Sequence, residues 1–222
     1  MTRKKHICVI GLGEFGQELA RQLARDCEVL AIDRNESAVA AILEDVQRAL
    51  IMDVREFASF GAVVTADFDE AVVSMGETLE ASILATLHLK KIGVKHIWAK
   101  ANSEDHAAIL KAVGASEIVF PERETAPRLA AQIVNPNLLD FIPLEGDYRV
   151  MDVAPPDVFY GKTLLELDLR KKYGVFVLAI KELIPTRFTF LPSPTFVIKP
   201  SDILVMIGLE KDLLQVLDLA GS

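Results

Sequence analysis

Three glycines near the start of the chain have the spacing of a turn that can hold nucleotide phosphates. The first permits a tight turn, the second lets the backbone approach a pyrophosphate, and the third lets the next helix pack closely on the preceding strand. The N-terminus of such a helix presents free N–H groups and a partial positive charge to an anion. The residues of this motif are Gly11, Leu12, Gly13, Glu14, Phe15 and Gly16.

An acidic residue, Asp33, follows at the position where the ribose of a nucleotide is expected. Apolar runs at 7–10 and 29–32 predict strands on either side of the helix, and the second run ends in Asp33. A carboxylate there can accept both ribose hydroxyls and disfavours a 2′-phosphate, although the neighbouring Arg34 leaves room for one. The sequence therefore predicts an adenine-nucleotide site. The alternative is a turn of this type that has lost its ligand.

Strand and helix patterns alternate through about the first 120 residues. Such alternation is typical of a Rossmann-like, doubly wound parallel sheet, whose ligand binds at the carboxyl ends of the strands. Asn35 and Ser103 are expected to cap helices over 36–43 and 104–113. The other elements are predicted as strands at 49–52, 71–75, 97–100 and 117–120, a helical turn at 55–60 and a helix at 80–92.

Polar residues follow several predicted strands at the edge where the ligand belongs. Asp53 can contact the adenosine, and Lys100 can meet a phosphate or the ribose. Glu122 can hold a metal cation or face the nucleotide of another subunit. Each of these charges can equally be a solvated charge at a strand end. The fourth strand adds three further candidate nucleotide-binding residues, Ser74, Met75 and Gly76.

The pattern changes after Pro121. Residues 125–134 have an apolar stripe at helical spacing, and after an interruption at 135–137 the stretch 138–143 is expected to continue it as an apolar crossover. The stripe can be core, but its position outside the regular sheet favours a dimer interface.

The last part of the chain is predicted to be a small β-rich α+β domain. The domains are therefore expected at 1–122 and 144–222, joined by a crossover helix and dimer linker at 123–143. The elements of the C-terminal domain are predicted as strands at 150–153, 175–181, 195–198 and 203–208, a short helix at 164–167 and a closing helix at 210–219.

Composition excludes several classes of protein. The chain has 222 residues, 51% of them hydrophobic, and a net charge of -8 without a basic stripe, so nucleic acid is not an expected partner. No apolar run approaches the roughly 20 residues that span a membrane, and the basic N-terminus is not followed by a signal-peptide pattern. Cys8 and Cys27 have no metal-binding or redox spacing. A cytoplasmic protein with reduced cysteines is expected.

No motif in the sequence supplies a catalytic group. The four histidines lie outside any recognisable motif and are interpreted as surface or helix-end residues: His6, His88, His96 and His106. Tyr-x-x-x-Lys, His-Glu-x-x-His and Gly-x-Ser-x-Gly patterns are missing from the sequence. The chain is therefore expected not to be an enzyme. An NAD-dependent oxidoreductase with an unrecognised substrate remains the alternative, as does an NADH or redox sensor with another target.

Together, several motifs resemble those of the regulator-of-potassium-conductance family, in particular the cytosolic Ktr/Trk-type subunits of bacterial potassium uptake systems. The resemblance covers nearly the whole chain. The motifs lie at residues 9–16, 29–33, 80–86, 97–101, 109–115, 121–123, 168–174 and 178–180.

The resemblance implies dimers that assemble into an octameric ring beneath a membrane potassium-translocating subunit, at the inner face of the cell membrane. It implies that ATP, ADP or NAD(H), with or without Mg²⁺, binds the glycine turn and changes the shape of the ring. Glu122 would approach the nucleotide or a bound cation across the dimer. In some members cyclic di-AMP binds between paired C-terminal domains, and the residues that would line this effector site are Arg170, Ala179, Ile180 and Pro192.

One residue departs from the family pattern. Similar Ktr-type members often have arginine where this chain has Glu14, and that arginine would pair with the terminal phosphate of ATP. Two like charges about 4 Å apart repel by roughly 4 kcal/mol at an effective dielectric constant near 20, before screening by solvent or a bridging cation. We therefore expect ADP, AMP or NAD(H) to fit better than ATP.

Overall fold

A six-stranded parallel sheet forms the framework of the first part of the chain. The computed structural model describes residues 3–76 and 78–219. The chain divides into two compact units, Met1–Pro121 and Glu122–Ser222. The strands of the first unit are β1 (His6–Ile10), β2 (Glu28–Asp33), β3 (Arg48–Ile51), β4 (Glu70–Val73), β5 (His96–Lys100) and β6 (Glu117–Val119). Their order in the sheet, β3-β2-β1-β4-β5-β6, is that of a doubly wound fold and confirms the predicted class.

Helices cover both faces of this sheet. Alternate residues of β1 point to opposite faces, so Val9 packs with the first two helices of the unit while Ile10 packs with the next three. Both residues are fully buried, which explains why the strands read as continuous apolar runs. The helices are α1 (Glu14–Ala24), α2 (Glu36–Ala40), α3 (Phe57–Val63), α4 (Leu79–Ile92) and α5 (Glu104–Val113).

The two predicted helix caps are confirmed. Asn35 Oδ1 accepts a hydrogen bond from the N–H of Ser37 at 2.9 Å, and Ser103 Oγ accepts one from the N–H of His106 at 3.1 Å. Helix α2 ends at Ala40 and is therefore shorter than the predicted 36–43. The helical turn predicted at 55–60 instead begins at Phe57.

An antiparallel five-stranded sheet forms the framework of the second unit, in the order β10-β9-β11-β8-β7. One face carries the apolar core, in which Ile180, Leu204 and Met206 pack with Leu213 of the last helix. The strands are β7 (Leu138–Pro143), β8 (Tyr148–Val153), β9 (Phe176–Leu183), β10 (Thr186–Phe190) and β11 (Asp202–Leu209), and the helices are α6 (Pro121–Val134), α7 (Leu164–Leu167), α8 (Leu169–Tyr173) and α9 (Glu210–Asp218).

The prediction that 138–143 continues the crossover helix is wrong. This stretch is strand β7, which pairs with β8 so that Phe141 lies opposite Met151. Leu138 is buried in the core of the second unit, whereas Asp140 Oδ1 lies 2.6 Å from Arg128 Nη2 on α6. The register with β8 shifts between Leu138 and Asp140, so these two residues differ in environment although they are two apart. Both α6 from residue 122 and β7 belong to the second unit rather than to a separate linker.

Two further predictions about strands in this unit need correction. Residues 195–198 make only an isolated bridge between Val197 and Thr163. The segment instead supplies carbonyl groups to the start of α7, since Phe196 O accepts from the N–H of Leu164 at 3.1 Å. Strand β10 was not predicted, although it pairs fully with β9 along Thr186–Phe190.

Replacement of Gly16 by alanine should destabilise the fold. The new Cβ would lie 2.0 Å from the carbonyl oxygen of Gly11, so helix and turn would have to separate. We expect the free energy of unfolding to fall by at least about 1–3 kcal/mol, measured by urea denaturation. Gly61→Ala is the control, because its Cβ would meet no atom within 4 Å and alanine favours the interior of α3. Equal losses in both variants would contradict the steric explanation.

Candidate functional site

The glycine turn lies at the carboxyl ends of β1, β2 and β4. Gly11 has a φ of +90°, which side chains rarely adopt, and a Cβ there would lie 2.5 Å from Cγ of Met75. Its N–H donates to the carbonyl of Ile32 at 2.8 Å. The turn is therefore packed between neighbouring strand ends, and glycine is required at position 11 by the fold itself.

Gly13 has a different environment from the other two glycines of the motif. A Cβ at this position would meet no heavy atom within 4 Å, so the packing of this chain does not require a glycine here. Gly13 is also the N-cap of α1, and it has no side chain with which to accept a hydrogen bond from the first turn. Open space before an uncapped helix N-terminus fits the phosphate group of a ligand. Glu14 lies exposed in the first turn of this helix.

Asp33 anchors the glycine turn, a role that the sequence did not reveal. Its Oδ2 accepts a hydrogen bond from the N–H of Leu12 at 2.6 Å, and its Oδ1 accepts one from the N–H of Asn35 at 2.8 Å. Gln17 holds the other side of the turn, because its Nε2 donates to the carbonyl of Leu12 at 2.8 Å. A carboxylate has about four lone-pair sites, so Asp33 retains acceptor capacity for a ribose.

The ends of β4 and β5 come together with the start of α1. Lys100 Nζ lies 5.8 Å from the centroid of the Phe15 ring. The Cε of Lys100 is 3.5 Å from the position that a Cβ of Gly76 would take. Asn102 Nδ2 donates to the carbonyl of Gly76 at 2.9 Å. Three of the predicted residues, from three different elements, therefore lie beside one another.

Ser74 has an unusual environment at the end of β4. It is buried, and its Oγ has no hydrogen-bond partner among the residues that the structure describes. This Oγ is 3.0 Å from the position that a Cβ of Gly16 would take, so it lies beside the third glycine of the turn. A buried hydroxyl group without a partner is uncommon in folded proteins.

Asp53 follows β3 next to Asp33, since the N–H of Met52 donates to the Asp33 carbonyl at 2.9 Å. Its carboxylate forms a bidentate ion pair with the guanidinium group of Arg55. Hydrogen bonds from Arg55, with a smaller contribution from the charge of Arg34, lower the pKa of Asp53 to about 2. Asp53 therefore has a partner within the chain, and its contact with adenosine stays a prediction.

The remaining predicted residues lie in the second unit. Glu122 is in the first turn of α6. Arg170 is exposed on α8, and Pro192 is half-buried just after β10. Ala179 and Ile180 are buried within β9, and Ile180 belongs to the core. No group of three or more His, Cys, Asp or Glu side chains in the described residues could hold a metal ion. The effector and cation roles stay predictions.

Two histidines interpreted as surface or helix-end residues are in fact buried. His88 Nδ1 lies 2.9 Å from the carbonyl of Val54, and its ring packs edge-on to Phe57. His106 belongs to α5 and faces α4, with its Nε2 2.7 Å from Oγ of Ser82. Both were missed because helical spacing alone does not separate a buried polar side chain from an exposed one.

Comparison with known proteins identifies the family. The TrkA-N domain model matches residues 7–121 and the TrkA-C domain model matches residues 149–221. The chain is 37% identical over 211 residues to the Ktr system potassium uptake protein C of Bacillus subtilis (strain 168), covering 95% of each. This chain belongs to the Ktr/TrkA family. It is also 32% identical to the Ktr system potassium uptake protein A of the same organism, again over 95% of each chain.

Solved structures share the fold of this Ktr/TrkA chain. The GsuK channel aligns with a TM-score of 0.68 at 18% identity, covering 99% of this chain and 40% of that chain. The RCK domain of GsuK aligns with a TM-score of 0.63 at 17% identity, covering 99% and 48%. The Ktr/TrkA chain thus spans less than half the length of these structures. Within the part of the chain that the structure describes, every helix is too short or too polar to cross a membrane.

Asp33→Ala should weaken the turn as well as any ligand contact. Removal of the carboxylate leaves the N–H of buried Leu12 without its partner, and we expect the free energy of unfolding to fall by about 1.5–3 kcal/mol in urea denaturation. Asp33→Asn keeps an acceptor oxygen and should lose less. Asp26→Ala, at an exposed acidic residue, is the control and should change stability by no more than about 0.5 kcal/mol. A loss at Asp33 no larger than at Asp26 would show that the carboxylate does not anchor the turn.

Gly13→Asp should separate ligand binding from folding. The new carboxylate enters open space and can accept N–H hydrogen bonds at the N-cap of α1, so stability should hold or rise by a few tenths of a kcal/mol. The same carboxylate places bulk and negative charge where a phosphate would sit. Calorimetry should therefore detect no adenine-nucleotide binding in this variant. Unchanged affinity would show that the phosphate lies elsewhere.

Proposed function

We propose that this chain is a nucleotide-sensing regulatory subunit that gates a membrane potassium-translocating subunit of a Ktr-type uptake system. The observation that carries the proposal is the open space before the uncapped N-terminus of α1, at a glycine that the fold does not require. Asp33 at the end of β2 and Lys100 at the end of β5 supply partners for the ribose and phosphates. The chain acts in this scheme as a cytoplasmic protein that reaches the membrane through its pore partner.

The ligand that fits best is ADP, AMP or NAD(H). Glu14 lies exposed in the first turn of α1, where its charge opposes that of a terminal phosphate. A bridging Mg²⁺ would relieve this repulsion. A structure of the same fold is that of a GsuK channel bound to NAD, with a TM-score of 0.61 and 17% identity.

Gating requires a ligand with different affinities for two states of the assembly. Helix α6 provides a surface on which copies of the chain would pair, since Leu129, Ile133 and Val134 are 55%, 72% and 76% exposed. Homodimers built on this surface would join into an octameric ring. Glu122, in the first turn of the same helix, would then approach the nucleotide or a cation bound to the partner.

The second unit is the proposed site of a further effector, cyclic di-AMP. Arg170 and Pro192 are accessible to such a ligand. Ala179 and Ile180 would act through the backbone of β9, because their side chains are buried. No catalytic residue is assigned, and the proposed action of the chain is regulatory rather than enzymatic.

Calorimetric titration of the full chain with ATP, ADP, NADH and cyclic di-AMP, with and without Mg²⁺, tests the proposal. Micromolar binding of an adenine nucleotide that changes potassium flux through the reconstituted pore subunit is the expected result. Binding of NADH alone, together with substrate-dependent oxidation, would favour an oxidoreductase instead. Failure of all four ligands to bind would refute nucleotide sensing.

Glu14→Arg should shift the preference toward ATP. Replacement of the carboxylate by a guanidinium converts repulsion of the terminal phosphate into attraction, and we expect ATP to bind about tenfold more tightly, or ~1.4 kcal/mol. Glu18→Arg makes the same charge change one helical turn later and is the matched control. An equal gain in both variants would attribute the effect to net charge rather than to contact with the phosphate.

A further inference from the structure

A chain of hydrogen bonds runs from the buried interface of α4 and α5 to the edge of the candidate site. It begins at Ser82 on α4, whose Oγ lies 2.7 Å from His106 Nε2. The other ring nitrogen, Nδ1, lies 3.1 Å from Asn102 Oδ1. Asn102 Nδ2 then donates to the carbonyl of Gly76 at 2.9 Å. Two loops of the sheet, after β4 and after β5, are thus joined by one amide.

The direction of these hydrogen bonds follows from the last of them. Because the Nδ2 group of Asn102 donates to a carbonyl, Oδ1 is the amide atom that faces the imidazole. We assign the proton to Nδ1, which donates to Oδ1 at 3.1 Å, closer than the 3.4 Å that separates Nδ1 from the N–H of Asn102. Nε2 then accepts from the Ser82 hydroxyl at 2.7 Å, a shorter contact than the 3.2 Å between that hydroxyl and the carbonyl of Leu79. Burial lowers the pKa of His106, which is consistent with a neutral ring.

The residues that form this chain of hydrogen bonds become more exposed from Ser82 to Asn102. Ser82 is 0% and His106 1% exposed, so this end is fixed within the packed interior. Asn102 is exposed and lies beyond β5. Gly76 is close to the Lys100 side chain, because a Cβ placed on Gly76 would lie 3.5 Å from Cε of Lys100. A rigid interior end and an exposed outer end are the arrangement by which packed residues can hold a binding loop in place.

We propose that His106 and Asn102 are positioning residues that hold Gly76 and Lys100 in place for the nucleotide. The proposal rests on the proposed function, because it assigns these residues to that same site. Neither residue contacts the ligand. His106 orients Asn102, and Asn102 fixes the carbonyl of Gly76 beside Lys100.

Asparagine and glutamine at position 106 give a matched pair of variants. An asparagine amide takes roughly the place of Nδ1 and can still donate to Asn102, whereas a glutamine amide takes roughly the place of Nε2 and faces Ser82. Both variants remove the buried ring and should lose similar stability. Asn102→Ala breaks the same connection from the exposed end, where loss of folding is not a concern.

Calorimetric titration of the full chain with ADP and with NADH tests the proposal. We expect Asn102→Ala and His106→Gln to weaken binding by about three- to tenfold, the loss of one hydrogen bond, and His106→Asn to stay within about twofold of the unmodified protein. Equal losses in the asparagine and glutamine variants, in proportion to their stability, would overturn the proposal. Unchanged affinity in Asn102→Ala would also overturn it.

Amide hydrogen exchange without nucleotide separates this proposal from the proposed function. Peptides containing Gly76 and Asn102 should exchange at least about threefold faster in Asn102→Ala and His106→Gln but not in His106→Asn. If the unmodified protein binds neither ADP nor NADH, the proposed function fails, and the exchange rates still decide whether the two residues hold the loops. Exchange that is unchanged in all three variants would overturn the positioning role.

Discussion

The contact between helix α1 and the glycine turn governs the geometry of the first unit. The carbonyl oxygen of Gly11 and the backbone of Gly16 approach so closely that no methyl group fits between them. This close packing places the N-terminus of the helix at the carboxyl ends of the neighbouring strands β1 and β4, where the strand order reverses direction. Asp33 fixes the same turn from the side of β2 through the N–H of Leu12. The turn is thus held by contacts within the chain itself, which lowers the cost of ordering it on binding.

Most of the first unit could be predicted from local patterns. Its central strands β1, β2 and β4 are buried on both faces and read as short apolar runs. Asn35 and Ser103 mark helix starts through side-chain chemistry that acts within three residues. The glycine motif likewise expresses local backbone requirements. What local patterns could not show is the second role of Asp33, because its partner Leu12 is 21 residues away. The burial of His106 was missed for the same reason, since its partner Ser82 is 24 residues away.

The second unit was harder to predict because its strands depend on their neighbours. Strand β7 follows a helix and a short break, and its apolar residues alone are compatible with a continued helix. Its strand structure depends on pairing with β8, which the local sequence does not show. Strand β10 carries exposed Phe188 and Phe190 and gains its structure from pairing with β9. The segment 195–198 has residues that favour strands, but it bonds to the start of α7. In each case the tertiary partner decides the structure.

The open space at Gly13 has an evolutionary consequence. Because a Cβ at that position would meet no other atom of the chain within 4 Å, packing within the chain does not require a glycine there. A descendant with a single substitution there could lose binding of the proposed ligand and still fold. Screens for abundance or thermal stability would pass such a protein as intact.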